Sequence, residues 1–186
     1  MQQSTLNAIL LGVAVLTWGW TWTVGLMGLH SIFEATFWLI SIQLGYFVAL
    51  VFLPMMDWTM LRRIYTTAAL SVALMFWILV YVDKELIQSS HLQVSWLLNH
   101  LQHTVPVILA LLSSKPSLDK SRPFRKTPVV VVVALIYLVL LGLRFLITGV
   151  WTYPFLARVG PMAFWPFVLL CLAGVHMCEW TVTRFF

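Results

Sequence analysis

Six stretches of the chain are apolar for long enough to carry a helix across a bilayer, and polar residues collect between them. They run Leu6–Leu29, Phe33–Met56, Thr66–Val82, His91–Leu112, Pro128–Ile147 and Pro161–Val182. About 20 residues at 1.5 Å each cross ~30 Å of hydrocarbon, and each run is near that length, the third being the shortest. Inside lipid every backbone N–H and C=O must find its partner within the protein, which an α-helix provides along its own length. The pattern therefore predicts an all-α fold, a single domain over residues 1–186 organised as a polytopic bundle of six transmembrane helices. No repeat or low-complexity segment interrupts it, and the longest connection, Ser113–Thr127, is rich in Ser, Pro and Lys and reads as a solvated loop.

Composition agrees with this pattern. Hydrophobic residues make up 61% of the chain and charged residues only 9%, against about 25% charged in an ordinary soluble domain. So few charges cannot shield a core from water, and the bilayer itself is the expected partner of the outer surface. The net charge of +5 does not point to nucleic acid, because the cations sit in short loops rather than on one soluble face. Arg62, Arg63, Lys115, Lys120, Arg122, Arg125, Lys126 and Arg184 fall on one side of the predicted bundle. Lys84 and Arg158, with Arg144 close to the same end, fall on the other. By the positive-inside rule both termini are expected in the cytoplasm. Met1–Asn7 contains no Lys or Arg, and the run after it is too long for a signal-peptide core, so it reads as a retained first span. Cys171 and Cys178 are seven residues apart, a rise of about 10 Å on a helix, too far for a disulfide.

Chemistry concentrates in the fourth run. Ser95, Asn99, Gln102 and His103 recur at i, i+4, i+7 and i+8, one face of a helix, with His100 and Thr104 on its shoulder. Polar groups at membrane depth face protein or water and mark candidate sites, although Asn and Gln also serve as interhelical hydrogen-bond glue. The histidines add a group suited to proton transfer near neutral pH. No HExxH pair or third histidine at ligand spacing accompanies them, so no metal is expected. No G-x-S-x-G elbow and no phosphate-binding glycine loop is present, and no cofactor is expected.

Four segments carry a resemblance to a known family. They are Phe76–Ile87 (FWILVYVDKELI), Trp96–Thr104 (WLLNHLQHT), Gly149–Leu156 (GVWTYPFL) continuing to Gly160-Pro161, and Thr36-Phe37 with the span to Gln43. In order and spacing the chain resembles the androgen-induced, androgen-dependent-regulator family of six-span membrane proteins. Members of that family are threonine hydrolases of fatty acid esters of hydroxy fatty acids. The resemblance implies Thr36 as nucleophile and His103 as general base, with Asn99, His100, Trp151, Tyr153 and Pro154 around a lipid ester substrate. Leu101 stands where the family has a glycine, and Phe145 and Leu146 stand where it has histidines. These departures bear on substrate range rather than reaction type.

The charge pattern independently puts Thr36, the Asn99/His103 face and the Trp151–Pro154 loop on one side of the membrane. From the run boundaries, however, Thr36 and His103 are expected to differ in depth by ~10 Å. The alternative is a non-enzymatic multi-pass regulator or adaptor whose polar stripe only holds the bundle together. A transporter is disfavoured because no run carries paired Gly/Pro interruptions. Interfacial anchoring would equally explain Trp151 and Tyr153. Asp83 and Glu85 read as solvated loop charges, Arg144 as a snorkelling cation, and Glu179 as a partner of Arg184 or His176. The expected location is an integral position in the endoplasmic reticulum or plasma membrane.

Overall fold

The computed structural model describes residues 3–23, 35–86, 96–113 and 129–185. Among them every regular element is helical, with no strand. In chain order these are α1 (Gln3–Thr23), α2 (Ala35–Phe52), α3 (Thr59–Val82), α4 (Trp96–His103), α5 (Val105–Ser113), α6 (Val129–Thr148), α7 (Pro154–Val159) and α8 (Phe164–Phe185). Single 3₁₀ turns at Lys84–Leu86 and Pro161–Ala163 follow α3 and precede α8. Three helices, α3, α6 and α8, are long and apolar enough to cross a membrane, and α2 is apolar but shorter. α6 opens with five consecutive valines, residues that favour strands in water. It is helical throughout, as expected where backbone groups have no water to bond.

The centre of the bundle is built where α1, α2, α3 and α5 meet. Leu10 and Ala14 of α1 lie one turn apart and pack with Leu39, Tyr46 and Phe47 of α2, Tyr65 and Ala69 of α3, and Leu109 and Ala110 of α5. The rings of Tyr46, Phe47 and Tyr65 form a cluster with centroids 5.1–5.8 Å apart, within the range of favourable aromatic pairs. Outward faces are apolar as well. Leu16, Leu74, Leu146, Trp165, Leu169 and Leu170 are all more than half exposed. An exterior of this kind suits lipid rather than water.

Several elements differ from their sequence-based boundaries. The third run does not start at Thr66: α3 starts at Thr59 and carries Arg62 and Arg63 within its first turns. The Asp57 carboxylate accepts the Thr59 backbone N–H at 3.0 Å, which supplies a partner at a helix start. Helix geometry continues past the apolar boundary because Arg63 is neutralised inside the bundle. Its guanidinium donates to the Glu179 carboxylate of α8, both side chains being largely buried. Glu179 thus pairs across the bundle and not with Arg184 or His176. The fourth run is divided into α4 and α5 at Thr104. Pro106 has no N–H to offer the carbonyl of Gln102, and its ring crowds that carbonyl. The break is held from α3, where the Tyr65 hydroxyl donates to the Pro106 carbonyl at 2.6 Å.

The stretch that contains the Trp151–Pro154 loop is not irregular throughout: it contains α7. It is bracketed by Gly149 and Gly160, both at positive φ (68° and 79°), and begins with Pro154, whose missing N–H is harmless in a first helical turn. This strap is tied to the end of α3 by Arg158, which donates to Asp83 (3.1 Å) and Glu85 (3.0 Å) on the exterior. The two carboxylates hold the already high pKa of the Arg158 guanidinium higher still. Asp83 and Glu85, read as free loop charges, therefore have a fixed partner. Cys171 and Cys178 are both free and buried, as their spacing requires. Ser95 and the basic cluster Lys115–Lys126 lie outside the described residues.

Candidate functional site

Thr36 sits in the first turn of α2, and His103 is the last residue of α4 before the break at Thr104. Despite the depth difference expected from the run boundaries, the two side chains meet. Thr36 Oγ1 lies 3.0 Å from His103 Nε2, within hydrogen-bonding range. The other ring nitrogen, Nδ1, lies 3.0 Å from the backbone carbonyl of Asn99, one turn earlier on the same helix. A carbonyl can only accept, so Nδ1 carries the proton. In a neutral imidazole Nε2 is then the lone pair, turned towards the Thr36 hydroxyl, which donates. The plane of the ring is set by Phe76 of α3, which stacks on it with centroids 3.4 Å apart and 8° between planes. His103 is 5% exposed.

This pair lines a cavity of about 300 Å³ between α2, α3, α4, α6, α8 and the strap, at the lower end of the size range of small-molecule sites. Asn99, Gln102, Thr152, Tyr153 and Pro154 reach it near the Thr36–His103 end, and most of the remaining wall is apolar. The hydroxyls of Tyr137 and Tyr153, both in the wall, are 2.8 Å apart. Thr152 accepts from Arg144 Nη1 at 2.8 Å, so Arg144 is directed to the strap and does not merely snorkel.

Of the residues singled out from sequence, Thr36, His103, Asn99, Tyr153 and Pro154 come together around one space. His100 and Trp151 do not line it. His100 turns to Trp77 and Trp96 (centroids 4.7 and 4.2 Å) with Nδ1 3.0 Å from the Thr104 hydroxyl. Trp151 is stacked between Phe145 (4.0 Å, 8°) and Phe164 (5.2 Å, 28°), so Phe145, one of the departures from the family pattern, forms a wall of its pocket. Phe76, Tyr137 and Phe155 were not singled out. An aromatic residue inside an apolar run carries no mark in a single sequence that separates a site wall from ordinary packing.

Chemically, the arrangement is a hydroxyl hydrogen-bonded to a base whose far side is oriented by a fixed acceptor, the general form of an activated nucleophile. Among the described residues no group of three His, Cys, Asp or Glu side chains is placed to hold a metal ion. No curated protein and no solved structure matches the chain. A family model described as FAR-17a/AIG1-like protein, the family to which the four segments pointed, matches residues 4–183, and the chain belongs to that family.

Proposed function

We propose that the protein is an integral-membrane hydrolase that cleaves fatty acid esters of hydroxy fatty acids, or close lipid esters, through Thr36 as nucleophile and His103 as base. The observation that carries the reading is the 3.0 Å contact between Thr36 Oγ1 and His103 Nε2 at the polar end of an otherwise apolar cavity. Interhelical glue would need the hydrogen bond alone. It would need neither the cavity nor an imidazole held on one face by Phe76 and at its far nitrogen by the Asn99 carbonyl. In this reading α1, α2 and the α4–α5 pair supply three further passes beside α3, α6 and α8. Both termini are then cytoplasmic, and the membrane is the endoplasmic reticulum or the plasma membrane.

The chemistry runs in two halves. Nε2 of His103 takes the Thr36 proton as Oγ1 attacks the ester carbonyl, and the tetrahedral intermediate collapses as His103 returns that proton to the leaving alkoxide. The hydroxy fatty acid departs as an alcohol and the acyl group remains on Thr36. Water then gives a proton to Nε2 and attacks the acyl carbonyl, and the Thr36 oxygen leaves with that proton. The Nδ1–H to Asn99 carbonyl bond keeps the ring in the required tautomer and steadies the imidazolium that forms in each half. Asn99 also lines the cavity, and in this reading its side-chain amide donates to the oxyanion, a type of contribution worth about 3 kcal/mol where such a donor has been removed from enzymes.

Purified protein tests the proposal with an ester of a hydroxy fatty acid and a fluorophosphonate probe. Hydrolysis and labelling are expected in the wild type and lost in both Thr36→Ala and His103→Ala. Equal labelling of all three proteins contradicts the site. A wild type inert to both reagents favours the adaptor reading.

A further inference from the structure

The cavity is long and its two ends differ. On α3 its wall is formed by Ile64, Ala68, Ser71, Met75 and Leu79, with Val72 and Phe76 beside them. These positions share one helix face over 15 residues, a length of about 22 Å. Phe76 marks the level of the reacting pair, because it is the ring stacked on His103. Only about 5 Å of the face lies between Phe76 and Leu79, while about 18 Å lies between Phe76 and Ile64. The opposite wall on α8 runs antiparallel, as the Arg63–Glu179 pair at the far end requires. It continues the same space through Phe167, Cys171 and Val175. Thr36 and His103 therefore stand near one end of the cavity.

Polarity divides the same way. Asn99 and Gln102 lie within a turn of His103, and Thr152 and Tyr153 belong to the strap tied to the nearby end of α3. Below Phe76 the one hydroxyl among the α3 residues that line the cavity, that of Ser71, is turned back to the Thr67 carbonyl at 2.8 Å, which leaves no free polar group among those lining residues. The arm is open because its walls carry small side chains at Ala68 and Ser71 of α3 and at Ala134 of α6.

We infer that this deep arm is a measuring channel for a single long, unbranched hydrocarbon chain. Its bore is set by Ala68, Ser71 and Ala134, and it receives the acyl side of the ester whose carbonyl lies at Thr36. The inference rests on the hydrolase reading of the same site and names the part of the substrate that the site selects. Half of a ~30 Å hydrocarbon layer is ~15 Å, so an arm of about 18 Å takes a chain as long as those of membrane lipids. Short acyl groups leave it unfilled, and branched or cyclic ones do not enter.

The experiment is an acyl-length series of p-nitrophenyl esters, acetate to stearate, with the detergent-solubilised full chain as wild type, Ala68→Leu and Ala134→Leu. The second variant blocks the channel from another wall, with an independent risk to folding, and both are compared with wild type by gel filtration. Wild-type kcat/KM is expected to rise with acyl length. Each buried methylene is worth about fourfold, so a leucine that excludes the end of the chain should lower stearate relative to acetate by at least about tenfold. Equal losses at every length, or a wild type indifferent to length, overturn the channel. If the wild type hydrolyses no ester of any length, the hydrolase reading fails and the channel is judged by binding. Thr36→Ala protein should then hold a fluorescent long-chain fatty acid at least about tenfold more tightly than Thr36→Ala/Ala68→Leu, and equal binding overturns the inference.

Discussion

Replacing Phe76 separates the geometry of the base from the stability of the bundle. Its ring lies flat on His103, 3.4 Å between centroids and 8° between planes, and the residue is 6% exposed. In Phe76→Leu most of the buried volume remains. The stack itself is worth about 0.5–1.5 kcal/mol, and a near-isosteric swap adds less than about 1.5 kcal/mol. A total near 2 kcal/mol leaves a typical fold, stable by about 5–15 kcal/mol, intact. The imidazole, however, loses the wall that fixes its plane and keeps only the bonds at its two nitrogens. Misplacing a catalytic group by about 1 Å costs on the order of a hundredfold. Phe76→Leu should therefore lower kcat by about 10- to 100-fold with KM within about twofold, while Phe76→Tyr, which keeps a flat ring, should retain most of the rate. Ester hydrolysis and thermal unfolding in detergent, measured on the same preparations, read both quantities. A leucine variant with wild-type kcat, or one whose loss falls entirely on KM, refutes the claim that the stack positions the base.

Breaking the buried Arg63–Glu179 pair by Glu179→Ala should cost about 3–5 kcal/mol, and Arg63→Met/Glu179→Leu should recover much of it. Additive losses in detergent unfolding would contradict that. Gly160, at φ 79°, should lose about 1–3 kcal/mol as alanine. Gly45 in α2, with open space where a Cβ would lie, should be neutral or gain up to about 1 kcal/mol by the same change. The same thermal assay distinguishes them. Hydrolysis should fall on acidification, since a protonated imidazole has no lone pair for the Thr36 proton. A rate that stays flat from neutral to acidic pH argues against His103 as base. Arg158→Ala should leave thermal stability nearly unchanged, because its pairs with Asp83 and Glu85 are exposed and screened, and a large loss would show that the strap depends on them.

The elements that sequence revealed are those with a periodic signature. α3, α6 and α8 announce themselves as apolar runs, and Asn99, Gln102 and His103 as a polar stripe whose members share the cavity wall. The start of α3 was hidden because hydropathy stops at the arginines, while the helix continues through a charge neutralised by Glu179, a residue 116 positions away. The orienting group of His103 was hidden for another reason. It is a backbone carbonyl, which every residue possesses, so Asn99 drew attention for its amide when its main chain makes the contact. Phe76 opens one of the segments that resemble the family, yet nothing local distinguishes it from the other aromatics of its run. The strap is bracketed by Gly149 and Gly160 at positive φ and meets the end of α3 through Arg158, contacts between residues distant in sequence that a loop does not encode visibly.

Thr36 as the acyl-accepting residue is tested most directly by trapping the covalent intermediate and locating it by peptide mass spectrometry. Wild-type protein quenched during turnover, or labelled with a fluorophosphonate, should carry its adduct on Thr36, and none should form in His103→Ala. An adduct on any other residue, or sustained turnover by Thr36→Ala, would contradict a threonine nucleophile at this site.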